Sequence, residues 1–344
     1  MVNLIFSNNT NIVLTKIIDG IDVIIPETCT MIADGTKTDY VSYPSRRTLR
    51  SISFPTSLEY IGNYAFSECL LIETIDLSMC KKLTSLSQFA IILCPKLYEI
   101  KLPSSLYQFS EHCLRDNNLE LKFQIKSNTV LNGTSFLGNR VSYEIIESNP
   151  RYASYEGNIY SPDYYILYFV SYSTKEMKFH PSCYCVGYCA FGTSSLENLI
   201  VPNSITSHMR WAFHEMFYCK NLTLPGSIKT IGATAINNNP NLLWITIQEG
   251  TTSIEYSAIG KLKKLHTIIF PSSILEISSE AVTECPSLLC VSMNNSVKAK
   301  DITIAGINLS ALACNYKSYC PTIQIFYSYK MFQTCLVYTV FISM

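Results

Sequence analysis

Charged residues are scarce in this chain of 344 residues. Asp, Glu, Lys and Arg together make up 15% of it, and 26 acidic side chains balance 26 basic ones. Nucleic acids and anionic membrane surfaces are bound by clustered Lys and Arg, so the neutral composition argues against both as charge-driven partners. Hydrophobic residues make up 48% of the chain, which excludes a disordered protein and provides for a sizeable buried core.

Short catalytic motifs are also lacking. The sequence has no G-x-S-x-G elbow, no G-x-G-x-x-G fingerprint, no phosphate-binding P-loop and no H-E-x-x-H zinc motif. The five histidines are scattered along the chain: His112, His180, His208, His214 and His266. We therefore predict a protein that is not an enzyme and uses no cofactor, while a triad assembled from distant segments stays open as the alternative.

Neither end of the chain carries a clear membrane signal. Four asparagines within the first eleven residues interrupt the apolar core that a secretion signal needs, so no signal peptide is visible. The segment Ile323–Met344 is about one bilayer long, but Lys330 lies near its centre, where insertion costs about 2.5–3.5 kcal/mol. We expect terminal β-strands there, and a membrane anchor is the disfavoured alternative.

What the sequence does contain is a repeat. Seven-residue segments recur, and most of them end in proline. They are LRSISFP to Pro55, IETIDLS to Ser78, LYEIKLP to Pro103, LENLIVP to Pro202, CKNLTLP to Pro225, LLWITIQ to Gln248, LHTIIFP to Pro271 and LLCVSMN to Asn294. The last five end points are 23 residues apart, and the earlier steps are 23 and 25 residues. A stack of equal coils requires such spacing, whereas a globular fold does not.

Each repeat has the same internal pattern. The first, fourth and sixth positions of the seven-residue segment are apolar, as at Leu265, Ile268 and Phe270, and we expect them to face inward from a short strand. Proline at the seventh position lacks an N–H group and ends the strand. A Cys or Asn follows fourteen residues later, as at Cys69 and Asn239. The pattern predicts a β-rich repeat solenoid with a parallel sheet, one strand per repeat, and short helical or 3-10 turns.

Three segments resemble the BspA-type leucine-rich repeat. They are FPTSLEYIGNYAFSEC (Phe54–Cys69), LPGSIKTIGATAI (Leu224–Ile236) and FPSSILEISSEAVTEC (Phe270–Cys285). The segment NPRYASYEGNIYSPDYYIL (Asn149–Leu167) is similar to a hairpin insert of the same family. The resemblance covers about residues 49–294. It implies a right-handed leucine-rich-repeat coil, and a surface antigen or adhesion protein at the cell surface.

The repeat pattern divides the chain into five regions. We predict an N-terminal cap with one degenerate repeat over residues 1–48 and a first repeat array over 49–125. An insert over 126–180 is expected to hold a β-hairpin around Gly157–Asn158, because Gly-Asn is a turn sequence between aromatic flanks. A second array follows over 181–300, and a tail without the repeat occupies 301–344.

One cluster of possible metal ligands falls within ten residues, at His180, Cys183, Cys185 and Cys189. Zinc binds such soft ligands, although structural sites favour C-x₂₋₄-C pairs. The repeat frame places Cys183 in a buried slot and directs Cys185 and Cys189 to other faces. We therefore predict core or half-buried thiols rather than a metal site. The fourteen cysteines, several of them at equivalent repeat positions, are expected to be reduced.

The third and fifth positions of each seven-residue segment point away from the core. In the second array they form an apolar, hydroxyl-rich strip, and the candidate partner-binding residues are Asn198, Ile200, Trp244, Thr246, Thr267 and Ile269. Such a strip is typical of protein contacts, although β-branched residues there are equally explained by strand propensity. We predict a protein-interaction module, and an intracellular scaffold of the same fold is the alternative, in keeping with a cytoplasmic location.

Overall fold

The structure is a computed structural model that describes residues 3–7, 12–292 and 306–307. This part of the chain forms a solenoid of about ten turns with parallel sheets, as the sequence predicted. It contains no helix, and hydrogen-bonded turns form the corners where short helical turns were expected. None of the described segments is a helix long and apolar enough to cross a bilayer.

Each complete coil has three short strands, whereas the sequence predicted one. We call them front, middle and rear strands. The front strands are Asp22–Ile24, Ser51–Ser53, Thr74–Asp76, Glu99–Lys101, Asn198–Ile200, Asn221–Leu224, Trp244–Ile247, Thr267–Ile269 and Cys290–Ser292. The rear strands are Phe66–Ser67, Ile91–Ile92, Phe213–His214, Ile236–Asn237, Ile259–Gly260 and Val282–Thr283.

The middle strands complete the coil. They are Val13–Asp19, Met31–Ile32, Tyr60–Ile61, Ser85–Leu86, Gln108–Phe109, Val130–Leu131, Ile166–Phe169, Cys185–Val186, Ser207–His208, Thr230–Ile231, Ser253–Ile254 and Glu276–Ile277. The strand Asn3–Phe6 pairs antiparallel with the first of them. In the second array the paired front-strand residues are 23 positions apart, as in Leu222 with Ile245 and Ile245 with Ile268. The 23-residue repeat is therefore the register of a parallel stack.

The core lies between the three sets of strands. Leu265 and Ile268 are fully buried and Phe270 is 4% exposed, which confirms the predicted inward positions. Asn239 is also fully buried: its Nδ2 donates to the Phe213 carbonyl at 2.8 Å, and its Oδ1 accepts the Met216 N–H at 2.7 Å. The amide thus ties one coil to the preceding one and satisfies backbone groups that would otherwise be buried without a partner.

The corners around the rear strands depend on left-handed residues. In the last four coils two residues four positions apart have φ between 49° and 60°. These pairs are Trp211 and Glu215, Thr234 and Asn238, Ser257 and Lys261, and Glu280 and Glu284. Non-glycine residues rarely adopt this conformation, and stacking of identical coils holds it here.

The segment between the arrays contains both parallel and antiparallel pairs. Glu120–Ile125 pairs parallel with Arg140–Ile145. The strands Ala153–Tyr155 and Asn158–Tyr160 then form an antiparallel hairpin. Glu156 and Gly157 occupy its turn with φ of 51° and 75°, as a two-residue type I′ turn requires, so the turn lies one residue earlier than the Gly-Asn pair suggested.

This hairpin lies between two hydrophobic cores. Asn158–Tyr160 pairs antiparallel with Ile166–Phe169, which pairs parallel with Cys185–Val186 of the second array. Ile159 packs in the N-terminal core and the adjacent Tyr160 packs in the C-terminal core. The hairpin therefore joins the two arrays.

The five region boundaries stay predictions, and most of the 301–344 tail, including Ile323–Met344, lies outside the described residues.

An ion pair also connects the arrays. Arg115 Nη2 donates to Glu215 Oε1 at 2.5 Å, although the two residues are 100 positions apart. Glu215 is 1% exposed, and its Oε1 also accepts from Asn238 Nδ2 at 2.9 Å and lies 3.2 Å from His214 Nε2. Burial opposes ionisation, but the His214 hydrogen bond and the Arg115 charge outweigh it and lower the pKa of the Glu215 carboxyl.

Candidate protein-interaction face

The front strands of the second array present alternate side chains to the two sides of the sheet. Along Trp244–Ile247 the aromatic ring and Thr246 are half-buried, while Ile245 is fully buried and Ile247 is 2% exposed. Trp244 thus points away from the core in the predicted register. We use the name outer face for the outward residues of these strands: Asn198, Ile200, Asn221, Thr223, Trp244, Thr246, Thr267, Ile269, Cys290 and Ser292.

The outer face consists of two ladders of stacked side chains. Trp244 pairs with Asn221 on one side and with Thr267 on the other. Thr246 pairs in the same way with Thr223 and Ile269. Since neighbouring strands lie about 4.7–4.9 Å apart, these side chains contact one another along the ladders. At one end Asn221 Nδ2 donates to Asn198 Oδ1 at 2.6 Å, which orders that part of the face.

The six predicted contact residues differ in their accessibility. Ile200 is 55% exposed and Asn198 is exposed, while Trp244, Thr246 and Ile269 are half-buried. Thr267 corrects the expectation, because it is fully buried. It lies in the ladder between Trp244 and Cys290, and its hydroxyl oxygen is 3.0 Å from His266 Nδ1. The structure therefore brings all six onto one face but leaves five of them open to a partner.

Two further side chains border the face and were not among the predicted contacts. Leu289 is 55% exposed, and the His266 ring stacks on Trp244 with a centroid distance of 6.2 Å. Both occupy the second position of the seven-residue segment, where Glu197 and Lys220 form an ion pair at 2.9 Å in the earlier coils. These second positions recur every 23 residues, so the spacing of the sequence could have identified Leu289 and His266 as border residues. The border thus changes from charged to apolar along the array.

The corresponding face of the first array is polar. Its outward residues are all exposed: Ser51, Ser53, Thr74, Asp76, Glu99 and Lys101. Lys101 Nζ lies 3.7 Å from an oxygen of Asp76, an exposed ion pair of the kind that contributes little to stability. The apolar strip is therefore confined to the second array.

The three cysteines of the cluster all lie in the core, although the repeat frame predicted a buried slot only for Cys183 and directed Cys185 and Cys189 to other faces. Cys183, Cys185 and Cys189 are 0%, 7% and 2% exposed, and burial raises the pKa of the Cys183 thiol to about 11. His180 stacks on Tyr164 at a centroid distance of 4.0 Å, and its Nδ1 accepts the Ser182 N–H. No group of three or more metal-ligating side chains occurs within residues 3–7, 12–292 and 306–307.

Most of the described cysteines are free thiols, and one cysteine is disulfide-bonded. Ten cysteines among the described residues are unbonded, nine of them buried, whereas Cys290 is disulfide-bonded. The expectation of reduced thiols therefore fails at Cys290. Near the array junction, burial strongly raises the pKa of Cys189, with the Glu215 charge as a smaller cause. The raised pKa keeps this thiol protonated, and a protonated thiol is a poor nucleophile.

The model of the BspA type leucine rich repeat region matches six copies over residues 21–142 and 165–301. No curated protein sequence matches the chain. Several solved structures share the fold.

A leucine rich cell surface protein from Faecalibacterium prausnitzii has a TM-score of 0.52 at 17% identity, over 88% of this chain and 95% of that one. The pneumococcal vaccine antigen PcpA gives 0.51 at 17% identity, over 86% and 80%. A leucine-rich repeat protein from Eubacterium ventriosum gives 0.54 at 16% identity, over 83% and 81%. At these identities the likeness shows the fold. Because the repeat model matches more than half of its residues, the chain belongs to the BspA-type leucine-rich-repeat family.

Proposed function

We propose that this chain is a non-enzymatic protein-interaction module that presents the outer face of the second array to a protein partner. The observation that carries the proposal is the contrast between the arrays. The same strand positions are charged or polar in the first array and hold Ile200, Trp244 and Ile269 in the second. A difference between otherwise equivalent coils favours a role in binding over a requirement of the fold.

The outer face has the physical properties that a binding surface needs. Its backbone is fixed by parallel pairing on both sides of Trp244, so little conformational entropy is lost when a partner docks. Trp244 offers a large ring whose orientation is held by the His266 stack, and aromatic side chains dominate binding energy at protein interfaces. Threonine hydroxyls beside the ring supply hydrogen-bonding groups.

The partner's chemistry follows from the composition of the face. Its centre has no charged side chain, and the Glu197–Lys220 ion pair at its border is internally neutralised. A partner surface with an apolar centre and a polar rim is therefore the best match, as in most specific protein complexes.

A surface antigen or adhesin-like role at the cell surface is the more specific part of the proposal. It is supported by family membership and by two solved relatives, one named a cell surface protein and the other a vaccine antigen. An intracellular scaffold is the second candidate, supported by ten free thiols among the described cysteines. Biotinylation of intact native cells with a membrane-impermeant reagent separates the two, because only a surface protein is labelled.

Site-specific photo-crosslinking tests which face binds. A photoreactive side chain at Thr246 should capture a discrete protein in native material, whereas the same group at Thr74 on the first-array face serves as the matched control. We expect one crosslinked species that depends on position 246. Equal crosslinking at both positions, or crosslinking only at position 74, would show that the outer face is not the binding surface.

A further inference from the structure

A groove occurs where the stack of middle strands is interrupted. Val130–Leu131 is the last strand of its three-stranded sheet, and the next middle strand, Ile166–Phe169, belongs to the hairpin sheet. Between them lies an open cavity of about 490 Å³, which we call the junction groove. This volume is within the range of roughly 300–1,000 Å³ that is common for ligand sites.

The floor of the junction groove is rigid. Tyr152 is 9% exposed, and its hydroxyl accepts the Leu131 N–H at 2.9 Å and donates to the Leu131 carbonyl at 3.3 Å. The Tyr152 hydroxyl thus satisfies the Leu131 backbone groups that a further parallel strand would otherwise pair with. Asn149 Nδ2 donates to the carbonyls of Lys126 at 2.6 Å and Thr129 at 3.3 Å, which anchors the entry to the hairpin. Because these backbone groups are satisfied, a ligand must be recognised by the side chains of the walls.

Aromatic rings and prolines form those walls. Tyr168 and Tyr188 are half-buried, and their hydroxyls make no hydrogen bond with any described residue. Pro150 and Pro162 are exposed at the rim, and Met209 is 39% exposed. The groove therefore offers flat apolar surfaces with two free hydroxyl groups at their edges.

One uncompensated charge lines the groove. Arg151 is exposed, and its guanidinium forms no ion pair with any described residue. Two carboxylates act on the groove's tyrosines, and neither forms an ion pair with Arg151. Glu111 lies near Tyr188 and is hydrogen-bonded to Gln88 and Asn132, and Asp163 lies near Tyr168 and accepts from Ser161 and Tyr165. A ligand with a negative charge would therefore be favoured at this position.

We propose that the junction groove binds an extended, proline-containing peptide segment that carries a carboxylate side chain. Grooves lined by aromatic residues dock peptides in the polyproline II conformation, which is already extended and loses little entropy on binding. Tyr168 and Tyr188 line the groove, so their hydroxyls can donate to the peptide carbonyls, and the Arg151 guanidinium pairs with the carboxylate. The open shape suits an extended chain better than an enclosed small molecule. This site is separate from the outer face and does not depend on the function proposed for it.

Fluorescence anisotropy with the full chain tests the proposal. The probe is a fluorescein-labelled peptide of sequence Pro-Pro-Glu-Pro-Pro-Glu, and the controls replace Glu by Lys or Pro by Gly. We expect saturable binding of the acidic proline peptide only. Arg151→Gln removes an exposed charge without touching the core, and it should weaken binding at least about tenfold, the equivalent of a lost charge-assisted hydrogen bond.

A second variant keeps the test decisive if Arg151→Gln alters the local fold. Met209→Glu places a negative charge at the groove and should also weaken the acidic peptide, while Trp244→Ala should leave its affinity unchanged because Trp244 lies outside the groove. The proposal is overturned if no proline peptide binds, or if binding ignores both charge changes. Arg151-dependent binding of an acidic oligosaccharide without peptide binding would overturn the peptide assignment.

Discussion

Removing Arg115 should weaken the connection between the two arrays. In Arg115→Met the long apolar stem is largely kept and the guanidinium is lost, so Glu215 stays buried with only His214 and Asn238 as donors. Its other oxygen, Oε2, already has no hydrogen-bond partner. The substitution therefore leaves a poorly compensated carboxylate in the core.

The size of the effect follows from the burial of the two partners. Breaking a fully buried pair costs about 3–5 kcal/mol. The Arg115 side chain is 24% exposed and two donors to Glu215 remain, so we expect about 2–3 kcal/mol. Glu215→Gln keeps the shape and loses the charge, and Arg115 retains Asp116 at 2.7 Å, so about 1–2 kcal/mol is expected. The double variant should lose less than the sum, with a coupling energy of about 1–2 kcal/mol.

Urea unfolding followed by two signals measures this connection. The only two tryptophans, Trp211 and Trp244, both lie in the second array, so their fluorescence reports that array while far-UV circular dichroism reports the whole chain. The wild-type transitions should coincide, and those of Arg115→Met should separate, because solenoid coils unfold together only while their interfaces are strong. A coupling energy below about 0.5 kcal/mol, with coincident transitions in every variant, would refute the role given to this pair.

Three further predictions concern the fold. Asn239→Ala should cost about 2–3 kcal/mol in chemical denaturation, since it removes the buried bonds to the Met216 N–H and the Phe213 carbonyl. Asn241→Ala removes one half-buried bond and one exposed bond and should cost less than about 1 kcal/mol. Burial, together with the Arg115 charge, lowers the pKa of His112 to about 4. The unfolded chain therefore binds the proton first, and the free energy of unfolding should fall as the pH drops from about 6.5 towards 4. His112→Phe should flatten that part of the stability profile, and an unchanged profile would contradict this role of His112. Hydrogen exchange should show a protection minimum at Glu156 and Gly157, and uniformly slow exchange there would argue against the turn.

The sequence predicted the front strands because their burial alternates with a period of two. Leu265, Ile268 and Phe270 are inward as expected, and the 23-residue spacing is the register of the stack. The middle and rear strands were not predicted, because most are two residues long and too short to show a period. The positive φ values at Trp211 and Glu215 also had no compositional signal, since neither residue is glycine.

The sequence predicted which side chains of the candidate face point outward, but it did not predict how exposed each of them is. The outward direction of Trp244 follows from strand geometry alone. The burial of Thr267 does not, because it depends on which side chains stand beside it in the ladder and on the orientation of His266. The Arg115–Glu215 contact and the junction groove also could not be predicted from the sequence. Both are formed by segments far apart in the chain that only the stacking of coils brings together.

The most direct test of the account is the affinity of Trp244→Ala for the partner captured at position 246. Titration calorimetry should show a loss of at least about 30-fold, the equivalent of about 2 kcal/mol for an aromatic anchor. Tyr98→Ala is the control, since Tyr98 is 53% exposed in the first array, and it should bind like the wild type. The melting temperature of Trp244→Ala should change little. An unchanged affinity in a stably folded Trp244→Ala would contradict the proposal that the outer face of the second array is the binding surface.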